Sequence, residues 1–477
     1  MSMPILKRLE PARTNNIPIK PIFKDESMAS NNIQILEDIF LRQFQLKEDD
    51  PVHRDNIRLI YGDLKTWSRI QSVKELRRDI SQEPFDRFDF LLPSLGFWHL
   101  RFNLLQVIHD IHFGKAGPAD PSTLQYAADR WGRSRVVQPN DFQALGDPII
   151  QSYQSRVIGI WIRLLRQEKL NVQRIESPVP WLSAQLPGKS GSWIKKLKVI
   201  SRELRDPWPT TTRDRMPPLC DQQFENHQNF CAHVESYLTL RYAIKHADIG
   251  LLRHALRHVT LIFQARVAST PKYAQALLYT LHTVDSPASS DRLQEAILMN
   301  GLVNLRGAED SHFETDRLLE LLNNNLKVFQ QERSYFSKNS DQLLENWSLN
   351  SPFLLALKGV IETTFGKPNS PRHPAKSAAE DVWSMALNLA HKSLSRQTHD
   401  RFSLNPTVNL HMAGLEGLSG NILKYNEQYL PGWTPMEDTE AGTDGIDQPM
   451  PAMPAGAPLN SPILSTALFD SIGNAGP

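Results

Sequence analysis

The sequence predicts a mostly α-helical fold with a small α/β part. Two short apolar runs, Ile57-Arg58-Leu59-Ile60-Tyr61-Gly62 and Phe88-Asp89-Phe90-Leu91-Leu92, read as strands, the first of them buried. Each is followed within a few residues by a helix start, at Thr66 and at Phe97. Beyond them, apolar residues recur at helical rather than alternating spacing along most of the chain.

Residues 1–31 are polar and Pro-containing and are expected to be loosely ordered. From Asn32 to Leu46, Ile33, Ile35, Leu36, Ile39, Phe40 and Phe44 fall at helical spacing. Asp49-Asp50-Pro51 then turns the chain into the first strand, which ends at the acid Asp63. Thr66 can cap the next helix, expected to reach about Ile80. After the second strand, Trp98, Phe102, Leu105, Ile108 and Phe113 mark an apolar helix over 97–113. Further helices are expected near 122–132, 148–170, 192–205, 222–246, 248–266, 271–284, 290–300, 314–335, 351–365 and 377–396. Pro178-Val179-Pro180 and Pro207-Trp208-Pro209 break the pattern, and 431–477, rich in Pro, Gly, Ala and Asp, reads as a disordered tail.

The 477 residues carry 53 Lys+Arg against 52 Asp+Glu, a net charge of +1, so any attraction to nucleic acid must come from a local patch. The 2 cysteines, Cys220 and Cys231, form neither a zinc-spaced cluster nor a disulfide framework, which fits a reducing compartment. No run approaches the ~18–20 apolar residues of a membrane span, and Met1 to Arg8 lacks a signal-peptide core. The expectation is an intracellular protein of nucleus or cytoplasm with no membrane partner.

The candidate site lies at the strand ends. Asp63 follows the first strand, His99 and Asn103 share one face of the helix after the second, and Asp316, Glu320 and Asn323 share a face of a distant helix, since i, i+4 and i+7 align. A strand-end acid, a helix-start His and a distant helical Glu are parts that can hold metal ions for phosphoryl transfer. Each also has a plain structural reading: Asp63 as a cap, His99 as a hydrogen-bonded core residue, Glu320 as a partner of Arg317. Lys195, Lys196, Lys198, Arg202 and Arg205 make a basic amphipathic helix, with a smaller cluster at Arg130, Arg133 and Arg135. Such clusters can contact phosphates or simply face solvent. His254 and His258 are one turn apart, a spacing able to bind zinc, but no Glu follows His254, so the metalloprotease pattern is absent and a solvated or packed pair is the simpler reading. His109 and His112 are read in the same way. No dinucleotide fingerprint, phosphate loop or nucleophile elbow is found, and neither cysteine has the electropositive neighbours of a nucleophile.

In order, Gly62-Asp63-Leu64-Lys65-Thr66, Phe97-Trp98-His99, Lys272-Tyr273-Ala274 and Phe313-Glu314-Thr315-Asp316-Arg317-Leu318-Leu319-Glu320-Leu321-Leu322-Asn323 resemble the fungal domain-of-unknown-function family 6589 over residues 25–365. Leu64 stands where that family has Gln. A second resemblance is to Mutator-like transposases, whose RNase H-like core has a strand-end Asp, a His-x3-Asn step, a helical insertion, then Glu-x-x-Asn with a Lys beyond. Asp63, His99 with Asn103, and Glu320 with Asn323 and Lys327 follow that order.

This second resemblance implies a truncated RNase H-like core over 32–114, a long all-helical insertion over 115–300 and core-completing helices over 301–400. Asp63 and Glu320 would be two of three carboxylates holding Mg2+ or Mn2+. The first acid of such a set belongs on an early strand, and none of Glu37, Asp38, Asp49, Asp50 or Asp55 is on one. The expectation is therefore a non-catalytic, transposase-derived interaction or nucleic-acid-associated protein, with no cofactor and with DNA as a partner through the basic helix. The alternatives are a metal-dependent phosphoryl-transfer enzyme and a helical scaffold.

Overall fold

The computed structural model describes residues 5–22, 24–79, 83–114, 120–132, 141–167, 221–265, 271–286, 289–331, 341–364 and 378–429. It is mostly helical, with two small two-stranded sheets among the described residues. The expected basic helix, both Pro-rich breaks, Cys220, Arg133, Arg135 and the tail at 431–477 lie outside the described residues.

The chain forms two compact units. The first draws on Met1–Leu100, Leu240–Ser370 and Gly414–Pro477. It opens with α1 (Ala29–Glu37), which runs on as a π-helix over Asp38–Gln43. The short α2 (Val52–Asp55), β1 (Arg58–Gly62), α3 (Leu64–Arg77), α4 (Pro84–Arg87), β2 (Leu91–Leu95) and the start of α5 (Phe97–His112) follow. β1 and β2 are parallel, with Arg58 opposite Leu91 and Gly62 opposite Leu95, so β1-α3-β2 is a single crossover unit. Leu36, Phe40, Val73, Phe85, Phe88, Phe90 and Leu91 pack into one core cluster beneath it.

Three details differ from the sequence expectations. β1 is buried only at Gly62 and exposed at Arg58, rather than buried throughout. β2 begins at Leu91, three residues later than expected, because Phe88 adopts a left-handed φ of 53° that closes α4. Thr66 is not the cap of α3; Asp63 is, with its side chain accepting from the Thr66 N–H at 2.7 Å.

The N-terminal segment, expected to be loosely ordered, is tied to the rest of this unit. Asp248, itself buried, accepts from the Leu6 and Lys7 N–H groups at 2.8 Å each and from the Leu251 N–H at 2.9 Å.

The helices of Gln222–His246 (α8, which opens in the second unit), Ile249–Gln264 (α9), Pro271–Asp285 (α10) and Asp291–Met299 (α11) follow the expected boundaries closely. α10 packs on α3 and β2, so part of the expected insertion completes this unit. A second, unexpected antiparallel pair, β3 (Leu302–Val303) and β4 (Phe313–Glu314), leads into α12 (Thr315–Gln331). α13 (Asp341–Thr364) starts ten residues before the expected 351, with Pro352 accommodated inside it.

The second unit draws on Arg101–Thr239 and Pro371–Ala413. It contains α6 (Leu124–Arg130), α7 (Phe142–Gln167) and α14 (Ala379–His391), with α7 and α14 packed through Ile162, Ala386 and Ala390. Polar groups bind it internally. Arg401 makes three hydrogen bonds of 2.6–3.1 Å to the buried Asp221, and Asn226 donates to Ser122, Ser403 and Asn405 while accepting from the Thr407 N–H at 2.7 Å. α15 (Leu410–Tyr429), absent from the sequence expectations, begins here and continues in the first unit.

Among the described residues no helix is long and apolar enough to cross a membrane.

Candidate functional site at the strand ends

The site forms where β1 and β2 end side by side. The Gly96 N–H donates to the Gly62 carbonyl at 2.7 Å, which sets the two strand ends level, and each chain then turns straight into a helix. The two helix starts are capped differently. At α3, Asp63 is its own N-cap, satisfying one of the amides that the first turn of any helix leaves unpaired. Gly62 has to lack a side chain here, since a Cβ would lie 2.6 Å from that of Thr66. The Gly-Asp-x-x-Thr spacing is thus a capping geometry.

At α5 the residue before the helix is Gly96, which has no side chain to cap with. Asp316, from the first turn of α12, supplies the carboxylate instead. Its Oδ1 accepts from the Trp98 N–H at 3.1 Å and its Oδ2 from the His99 N–H at 3.0 Å. The same Oδ2 lies 3.0 Å from His99 Nδ1, so that nitrogen carries the proton. Asp316 is only 3 % exposed, and a buried carboxylate with three N–H partners at a helix N-terminus is well compensated. The arrangement requires glycine at 96, because a Cβ would stand 2.3 Å from Asp316 Oδ2. A second close approach, Gly301 against the Phe97 ring, brings the β3–β4 pair and hence the start of α12 to this corner.

His99 is half-buried and packs edge-on against Trp98 at 4.7 Å. Burial alone would lower its pKa. The hydrogen bond and charge of Asp316, together with the charges of Asp63 and Glu320, outweigh that and raise it above the ordinary histidine value. Asp63, Asp316 and Glu320 are therefore close enough to act on one imidazole, which makes the corner locally acidic around a readily protonated histidine. Glu320 and Asn323 are half-buried further along the face of α12 that begins with Asp316. Asn103 lies one turn beyond His99 on α5, also half-buried.

The structure thus brings Asp63, His99, Asp316 and Glu320 together. Lys195, Lys196, Lys198, Arg202 and Arg205 lie outside the described residues. Among the described residues no group of three or more His, Cys, Asp or Glu side chains is placed to hold a metal ion. Of the three acids around His99, Asp316 is already engaged by the Trp98 and His99 N–H groups and the His99 ring. Of the acids that could have completed it, Glu37 pairs with Arg77 at 3.0 Å and Asp50 accepts from the Val52 N–H at 3.0 Å.

From sequence, Asp316 only shares a helical face with Glu320 and Asn323, whereas in the structure it is the pivot of the corner. The signal was present in Gly96: a glycine where a cap is needed asks for a carboxylate from elsewhere. The Lys-Tyr helix of the motif series serves packing, since Tyr273 is buried and stacks on Phe263 at 5.2 Å. Cys231 does have a cationic neighbour, Arg156, contrary to expectation, but burial dominates and pushes its thiol up to about 12.

No curated protein and no solved structure matches the chain significantly. The sequence profile of a family of unknown function, DUF6589, matches residues 1–373. The match spans well over half of the chain, and the protein belongs to that family.

Proposed function

We propose that this chain is a fungal, transposase-derived protein whose remnant RNase H-like core no longer performs catalysis, and that it acts in the nucleus or cytoplasm as an interaction or nucleic-acid-associated protein. In this reading 32–114 is the remnant core, 115–300 descends from the helical insertion and 301–400 completes the core. The observation that carries it is the use made of the acids. Asp316 holds two backbone N–H groups and His99, and Asp63 holds the Thr66 N–H, so both carboxylates build the helix starts. An ancestral metal corner that keeps its acids as caps would look like this. DNA is the partner class, met through Lys195, Lys196, Lys198, Arg202 and Arg205, and no cofactor is required.

The runner-up is a phosphoryl-transfer enzyme holding Mg2+ or Mn2+ on Asp63 and Glu320. The influence of both charges on His99 favours it, and its third acid is unidentified. The experiment is DNA binding by the full chain, followed by fluorescence anisotropy across a salt series. The first reading expects salt-sensitive binding, with K195Q/K196Q/K198Q lowering the log–log salt slope by about 0.9 for each phosphate no longer neutralised. Strand cleavage in Mn2+ that disappears in Asp63→Asn and Glu320→Gln would establish the enzyme instead. Neither binding nor cleavage would leave a helical scaffold.

A further inference from the structure

A second cluster, on the outer face of α9, is unrelated to the strand-end acids. We propose that His254 and His258 chelate a single divalent transition-metal ion of the zinc, nickel and copper class. The two residues are one helical turn apart, and their Nε2 atoms face each other at 3.2 Å. Two nitrogens bound to one ion at about 2.0–2.1 Å, with an angle between about 90° and 110°, must lie roughly 2.9–3.4 Å apart, so the observed separation already suits a shared ion. The helix holds them there. Leu251, Leu252, Ala255, Leu256 and Val259 are buried on the opposite face, which fixes the rotation of α9 and turns His254 to solvent.

Both imidazoles are also in the protonation state a metal needs. Burial, then the charge of Arg257, lowers His254; burial, then His254 and Arg257, lowers His258 to about 4. Both shifts favour the neutral ring that a metal ligand needs. One ring only has to move its Nε2 proton to Nδ1 through solvent, after which both Nε2 lone pairs face the ion. The neighbouring cations oppose this only in part. Arg253 and Arg257 both pair with the buried side chain of Asp285 on α10, the latter at 3.2 Å.

The donor set is nitrogen only, which selects against Mg2+ and Mn2+ in favour of later transition metals. With two protein ligands, water fills the remaining positions, so the ion is exchangeable. The site stands apart from the proposed function and neither requires nor excludes catalysis.

The test is calorimetric titration of the full chain with NiCl2 or ZnCl2 alone, paired with its thermal unfolding midpoint in each metal. Wild type is expected to bind one ion per chain and to gain a few degrees in midpoint, because an ion that binds only the folded state stabilises it by mass action. His254→Gln, on the exposed ring, is expected to weaken binding at least tenfold. His254→Gln/His258→Gln should lose it, with the metal-free midpoint showing that the variant is folded. Equal affinity in wild type and double variant, no binding by wild type, or equal binding of MgCl2 would each overturn the assignment.

Discussion

The Asp316 carboxylate joins a strand-end glycine, a helix start and a histidine. Replacing it with Ala leaves the Trp98 and His99 amides without their acceptor. The expected loss is about 2–4 kcal/mol, the sum of a lost cap and a lost charged hydrogen bond, read from chemical unfolding. Gly96→Ala should act through the same atom, since the new Cβ would push Asp316 away, at a cost of about 1–3 kcal/mol. His99 supplies a pH signature. Its pKa is raised in the folded state despite burial, through Asp316 and then Asp63 and Glu320. The sign follows: the contribution is complete below the unfolded value of about 6.5 and is lost as pH rises through the higher folded pKa. An NMR titration of His99 should therefore show a midpoint above 6.5 in wild type and a lower one in Asp316→Asn.

At the scale of elements, Asp63 separates a cap from a ligand. As the N-cap of α3 it should tolerate Asn, which caps equally well, whereas Asp63→Ala should cost about 0.5–2 kcal/mol. α15 offers an internal contrast. Gly414 lies where α15 meets α9, and a Cβ there would fall within 1.9 Å of the Leu261 carbonyl oxygen; Gly420, in the same helix, has nothing within 4 Å. Gly414→Ala should destabilise by about 1–3 kcal/mol and Gly420→Ala should stabilise by about 0.5–1 kcal/mol, as compared by thermal melts.

The elements also show what sequence can deliver. The long helices were legible because a buried stripe must recur with the helical period, and α8 to α12 began and ended close to their expected limits. β2 runs on to Leu95, past the expected Leu92, since a two-stranded parallel pair leaves one edge of each strand unbonded and can hold Pro93. β3 and β4 are two residues each, too short for any alternation to register. Asp63, His99 and Glu320 could be named from their placement. Gly96 signals that a carboxylate must come from elsewhere, but not that Asp316 supplies it, because that depends on a close approach between residues 96 and 316.

At the scale of the whole molecule, buried histidines set the response to acid. His233 Nε2 accepts from the Leu410 N–H at 3.1 Å, so its Nδ1 carries the proton donated to His112 Nε2 at 2.9 Å. Burial, then Arg156, lowers His112 to about 3; His227 and His233 are likewise held well below the ordinary value, first by burial. A histidine that stays neutral when folded but protonates when unfolded lowers stability as pH falls below about 6.5, for His112 by about 2 kcal/mol at pH 5. Unfolding free energy should drop steeply between pH 6.5 and 5, and His112→Gln should flatten the slope. That trend runs opposite to the contribution of His99.

The reading of the strand-end acids as architecture makes the sharpest demand. Mn2+ titrated into the full chain and into Asp63→Asn/Glu320→Gln, with bound metal followed by electron paramagnetic resonance, tests it directly. The account predicts that the two proteins bind Mn2+ identically and weakly. Stoichiometric binding by wild type that the double variant loses would contradict it and restore these acids as metal ligands.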